Sequence, residues 1–186
     1  DGKPCKINSP YAAQKLGINY LSESRKDDGI LLDLPIVENI TISNMRAIQR
    51  GIFINRKKEL NAVKELVKKF TVKCGNVKDA VSSLSGGNQQ KVSIAKSLFV
   101  PTKVLILDEP TRGIDVGAKV EVYNIINELV TAGMAVIFVS SEIEEIVGMC
   151  DRVVVMGAGK VRGELKKDEI TKQRILELSG SASEAG

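Results

Sequence analysis

Two short stretches carry residue types that can do chemistry on a phosphate. In Val104-Leu105-Ile106-Leu107-Asp108-Glu109 an aliphatic run ends in adjacent carboxylates. Such a run reads as a strand buried on both faces of a parallel sheet. Asp108 and Glu109 then fall at its carboxyl edge, where open α/β folds bind ligands. The first carboxylate can hold Mg2+ there, and its neighbour can polarise an attacking water. A strand that merely ends in a charged turn is the competing reading. The second stretch, Leu84-Ser85-Gly86-Gly87-Asn88-Gln89-Gln90-Lys91, opens a helix. Its glycines let a backbone approach a ligand closely, and the helix start offers unpaired N–H groups and a positive dipole. With the Ser85 hydroxyl this makes an anion cradle suited to a terminal phosphate. The competing reading is a serine N-cap followed by a glycine turn.

Composition removes other chemistries. The 186 residues hold no histidine, which excludes an imidazole base, a histidine metal ligand and a Ser/His pair. No tryptophan and 4% aromatics argue against a stacking platform for single strands or sugars. A net charge of +4 does not by itself signal nucleic acid, and the basic residues of 46–69 read as a solvated helix face. Cys5, Cys74 and Cys150 are far apart and odd in number, so reduced thiols are expected rather than zinc or disulfides. No stretch has the length or apolarity of a bilayer span.

The elements that must hold the two stretches are well punctuated. Val92, Ala95, Leu98 and Phe99 give a helix over 88–100 that Pro101 stops. Val122, Ile125, Ile126, Leu129 and Val130 predict a second helix, ending at Gly133. Residues 17–21 and 135–139 read as strands, the latter buried. Ser141 and Glu144 suggest a capping box for a further helix. Residues 153–156 and 160–165 read as a hairpin around Gly157-Ala158-Gly159. Alternating helix and strand define an α/β fold with a parallel sheet. The expected division is a core of 1–36 and 98–179, a mainly helical subdomain over 37–97, and a polar tail over 180–186.

Taken together, LSGGNQQK, the following helix and VLILDEPTRGID resemble the signature helix, Walker B strand and D-loop of ABC-type ATPases, a branch of the P-loop NTPases. Asn88 in place of the commoner glutamine, and Gly113-Ile114-Asp115-Val116-Gly117-Ala118-Lys119, are similar to the ATPase subunits of bacterial monosaccharide importers for ribose, galactose or xylose. Those subunits fuse two nucleotide-binding domains, and the chain looks like the second. The resemblance implies ATP and Mg2+ as ligands. Asp108 would bind the metal through water and Glu109 would be the catalytic carboxylate. Ser85, Gly86 and Gly87, with Asn88 beside them, would serve the γ-phosphate of ATP held by the opposite domain. Asp115 would lie in the loop touching that domain. The implied partners are the other nucleotide-binding domain, a transmembrane permease docked on the helical arm and, indirectly, a sugar-binding protein, with no nucleic acid. The implied location is the cytoplasmic face of the bacterial membrane.

Three departures qualify this expectation. Ser141 stands where such ATPases place a histidine against the γ-phosphate, and Glu23 where they place a glutamine near metal and water. No G-x-x-x-x-G-K-[ST] loop, the usual holder of the β- and γ-phosphates, occurs in the sequence. In the family it lies upstream of the Glu23 segment, so a fragment with an incomplete core is expected. A transport motor and a degenerate half-domain that only lends its signature helix therefore both stand. A soluble relative in translation or DNA repair fits less well.

Overall fold

A computed structural model of the chain describes residues 4–180. Its residues group into two compact units, Asp1–Val139 and Ser140–Gly186. The expected boundaries at 36/37 and 97/98 fall inside the first unit. The expected tail, after Gly180, lies outside the described residues.

The first unit is organised on a parallel sheet of β1 (Ile18–Leu21), β4 (Val104–Asp108) and β5 (Ala135–Val139), in the order β1-β4-β5. Ile18 pairs with Val104 and Val104 with Ala135, so residues two apart line one face. Leu21, Leu105 and Leu107 are buried on one side. Helix α4 (Gly86–Leu98) packs on β1, and α5 (Val116–Thr131) packs on β5 and on α4. On the opposite side Tyr20, Ile137 and Val139 are 57%, 51% and 45% exposed. The strands expected to be buried on both faces are thus buried on one and about half exposed on the other.

Before the sheet, Ser9 caps a short α1 (Pro10–Lys15). After β1 the chain passes a π-helical turn, Arg25–Gly29, into α2 (Ile36–Thr41). The buried Asn39 side chain pins the approach, accepting from the Leu31 amide and donating to the Leu31 and Leu34 carbonyls. The helical spacing anticipated from 37 to 70 is broken. A two-residue ladder of β2 (Gln49–Arg50) and β3 (Phe53–Ile54) intervenes, turning at Gly51, whose φ is +64°. It leads into α3 (Arg56–Lys69), capped by Asn55, with Val63 and the following Phe70 buried. The α4 helix starts two residues earlier than the apolar spacing implied, because Ser85 is its N-cap.

The second unit has its own core of Val153, Val155, Leu165, Ile170 and Ile175. It contains α6 (Ile143–Met149), the hairpin of β6 (Arg152–Gly157) and β7 (Lys160–Lys166), and α7 (Lys172–Ser179). Ala158 and Gly159, both at positive φ, make the hairpin turn. The expected Ser141–Glu144 capping box is not formed: Glu142 is the N-cap, and the Ser140 hydroxyl accepts from its amide at 2.9 Å. The same hydroxyl donates to the buried Glu145 at 2.6 Å, which ties the approach to α6 through Ser140 rather than Ser141.

Candidate functional site

At the carboxyl edge of the sheet, Asp108 ends β4 and accepts a 2.7 Å hydrogen bond from the Tyr20 hydroxyl on neighbouring β1. That bond, aided by slight desolvation and the Asp108 charge, raises the phenol above its ordinary pKa and keeps it a donor. Glu109 follows with φ +45°, a strained conformation for a residue with a Cβ. It is held there from both sides: its amide donates to the Val139 carbonyl of β5, and its carbonyl accepts from the Arg112 amide. In the turn after it, Thr111 is buried. Tyr20 and Asp108, 88 positions apart in sequence, thus sit on one edge.

Glu23 joins them through Arg112, with which it forms an ion pair. The loop after β1 is tied in this way to the turn after Glu109. Both side chains are largely exposed, so the pair contributes little to stability. Its effect is to neutralise a third carboxylate at an already acidic edge.

The glycine turn is built differently. Ser85 caps α4 through its backbone, its carbonyl accepting from the Gln89 amide. A Cβ on Gly87 would stand 2.4 Å from the Ala118 Cβ, so that glycine lets α4 and α5 meet. A Cβ on Gly86 would meet only ordinary contacts, at 3.5 Å from the Arg25 Nη2 and the Gly113 carbonyl. Gly86 is therefore not demanded by the chain's own packing. Beside it, the Arg25 Nε is buried without a hydrogen-bond partner, and burial lowers the guanidinium pKa. A positive group thus adjoins the turn expected to meet an anion. Asp115 caps α5, accepting from the Ala118 amide at 2.9 Å.

A brace behind the turn fixes α4 against α5. Lys91 is 1% exposed, donates to the Thr71 carbonyl at 2.7 Å and pairs with Glu121 of α5 at 2.6 Å. Lys73 reaches Glu121 as well, at 3.3 Å. The Lys91 hydrogen bond is the main cause holding the Glu121 carboxyl below its ordinary pKa. Asn88 accepts from the Lys73 amide at 2.8 Å and donates to the Ser85 hydroxyl at 2.9 Å.

The structure therefore brings Asp108, Glu109 and Glu23 to one edge, and groups Ser85, Gly86, Gly87, Asn88 and Asp115 around the facing ends of α4 and α5. Ser141 lies in the second unit, exposed ahead of α6. Sequence reasoning missed Tyr20, Arg112 and Lys91. A lysine amid Val92, Ile94 and Ala95 was the available signal for a buried cation. Nothing in the one-dimensional pattern pairs Tyr20 with Asp108.

The described residues contain no cluster of three or more acidic or cysteine side chains able to hold a metal. Asp108 and Glu109 still fit Mg2+, which keeps most of its waters and takes one or two carboxylates plus substrate phosphates. Among the described residues no helix is long and apolar enough to cross a membrane.

The pattern of the family described as ABC transporter matches residues 7–112, more than half of the chain. The chain belongs to that family. It is 47% identical over 178 residues to the ribose import ATP-binding protein RbsA of Bacillus subtilis, covering 96% of this chain and 36% of that protein. It is 45% identical over 183 residues to a putative ribose/galactose/methyl galactoside import ATP-binding protein of Rhizobium meliloti, with 98% and 36% covered. The chain thus spans about 36% of the length of these relatives. Among solved structures, a dimeric post-hydrolysis ATP-binding cassette bound to ADP and Pi superposes with TM-score 0.70 at 20% identity, over 87% of this chain and 68% of that one. A second ATP-binding cassette of an ABC transporter gives 0.75 at 17%, over 91% and 70%. The fold is that of the ABC ATPases, α/β with a parallel sheet.

Proposed function

We propose that the chain is the second, C-terminal nucleotide-binding domain of a two-domain ATPase subunit driving monosaccharide import, and that it works within a longer protein. The observation that carries this reading is the pairing of an acidic sheet edge, Asp108 and the strained Glu109, with a glycine turn whose Gly86 is left open. The likeness to ribose and galactose import proteins supports the substrate class. The open apolar face of Tyr20, Ile137 and Val139 supports a further layer of chain carrying the phosphate-holding loop.

In this reading bound Mg2+ supplies charge neutralisation for the phosphates of ATP. Asp108 holds the metal through water, oriented by the Tyr20 hydroxyl. Glu109, fixed by its strained backbone, takes the proton of the attacking water. Arg112 keeps Glu23 from adding unpaired negative charge near the nucleotide. Ser85 and the Gly86 amide offer donors to the γ-phosphate of ATP held by the opposite domain, while Gly87 keeps α4 seated on α5. Asn88 supports Ser85, and Asp115 shapes the loop facing that domain. Ser141 occupies the place of the usual histidine. The helical arm over 37–97 docks on a transmembrane permease at the cytoplasmic face of the membrane, and sugar reaches the permease from a binding protein. The proposal includes no nucleic acid.

A second reading has a specific observation behind it. Glu23 is engaged by Arg112 and Ser141 cannot act as an imidazole, which fits a non-hydrolysing domain that lends its signature turn. ATPase rates of the full-length subunit separate the two. Glu109→Gln removing about half of the turnover or more supports hydrolysis at this edge, whereas an unchanged rate supports the lending role.

A further inference from the structure

The hydrogen-bond direction around Asn88 assigns it a task that neither its family position nor its spacing states. The Lys73 amide is an N–H and donates only, so the Asn88 atom 2.8 Å from it must be the amide oxygen. The other end of the amide, facing the Ser85 hydroxyl at 2.9 Å, is therefore the NH2. Ser85 must accept this bond, and the hydroxyl proton is thereby turned away from Asn88. The residue is exposed and its hydroxyl makes no cap bond to α4. Its proton is available to an external acceptor on the open side of the turn.

We infer that Asn88 is a positioning residue that orients the Ser85 hydroxyl as a donor toward the γ-phosphate. The inference rests on the proposed function of the Ser85-Gly86-Gly87 turn and deepens it. The anchor is firm because the Lys73 loop is itself fixed: Lys91 donates to Thr71, and Lys73 and Lys91 share Glu121. A shift of this loop would rotate the Asn88 amide, and with it the serine proton, without moving the helix.

The test uses the full-length ATPase subunit with Asn88→Asp, Asn88→Ala, Ser85→Ala and the corresponding double variants. Asn88→Asp keeps an acceptor for the Lys73 amide, but its second oxygen forces the Ser85 proton inward. The variant should melt at the wild-type temperature without nucleotide. Its turnover should fall about tenfold or more, close to the fall in Ser85→Ala, with a matching rise in the ATP concentration needed for half-maximal thermal stabilisation. Asn88→Ala frees the hydroxyl to rotate and should cost less. In the Ser85→Ala background both changes at position 88 should have no further effect. If Asn88→Asp lowers turnover by the same factor in both backgrounds, charge repulsion explains it and the inference is overturned. Should the aspartate variant not fold, the Asn88→Ala cycle decides: no further loss in the Ser85→Ala background supports the inference, and an equal loss in both backgrounds overturns it. If Ser85→Ala alone leaves turnover and ATP stabilisation unchanged, the reading of the turn fails and takes this inference with it.

Discussion

The signature turn and the acidic edge belong to one unit and are built to opposite standards. Behind the turn, α4 is seated on α5 through Gly87 and Ala118 and locked by the buried Lys91. Its hydroxyl is aimed by Asn88. The acidic edge stands on a sheet with one face partly open, and it gathers Asp108, Glu109 and Glu23, of which Glu23 is paired with Arg112. Two adjacent carboxylates without a lysine-lined loop repel a triphosphate rather than hold it. In the proposed reading, the difference is that between a half-site the chain completes itself and one that draws on further protein.

The largest effect that would break this comparison is at Gly86. An aspartate there adds bulk and negative charge where the phosphate is expected, and its Cβ meets only ordinary contacts. Turnover of the full-length subunit should drop about 10²–10³-fold, while its melting temperature changes little. Next comes Gly87→Ala, whose methyl group would overlap Ala118 at the helix contact. Chemical denaturation of the chain should show a loss of about 1–3 kcal/mol, the reverse partition of stability and activity from Gly86. A stable, wild-type-like Gly87→Ala variant would show that the α4–α5 contact yields easily.

Lys91 separates the two regions more finely. Lys91→Ala removes a buried cation, leaving the Thr71 carbonyl unpaired, and should cost about 2 kcal/mol in denaturation. Lys91→Met, which keeps the volume, should cost less. The pH dependence follows from the same pair. Because the folded Glu121 pKa lies below its ordinary 4.5, its contribution is present above that value and fades as the pH falls through the lower folded one. Acid melts of the wild type should therefore lose more stability below pH 4.5 than those of Glu121→Gln.

Much of this was legible because buried runs and helical stripes mark themselves. The strands at 104–107 and 135–139, the hairpin turn at Ala158-Gly159, and the helix opened by Ser85 were visible in that way. The one-sided exposure of the sheet was not, since Tyr20, Ile106 and Ile137 read as core residues whether or not a layer covers them. The short ladder at 49–54 escaped because two residues per strand give no alternation to detect. That Glu142 rather than Ser141 caps α6 was hidden because the approach is tied through Ser140, which accepts from the Glu142 amide and donates to the buried Glu145. Tyr20–Asp108, Arg112–Glu23 and Lys91–Glu121 are tertiary pairs, 30 to 89 positions apart, which periodicity does not register.

The smallest stability effect is expected at the exposed pair. Arg112→Ala should cost well under about 1 kcal/mol. Its mark should be a weaker apparent affinity for ATP in the full-length subunit, restored by Arg112→Ala combined with Glu23→Gln. No recovery in the double variant would show that Arg112 does more than neutralise Glu23.

The proposed function turns most directly on whether the acidic edge holds a nucleotide without the phosphate-binding loop. A ligand bound to the folded state adds RT ln(1 + [L]/Kd), about 2.7 kcal/mol at a hundredfold excess. Thermal melts of the 186-residue chain with and without millimolar Mg-ATP read this directly. The account predicts superimposable curves. A saturable upward shift of several degrees would show that the edge binds ATP unaided, and would contradict it.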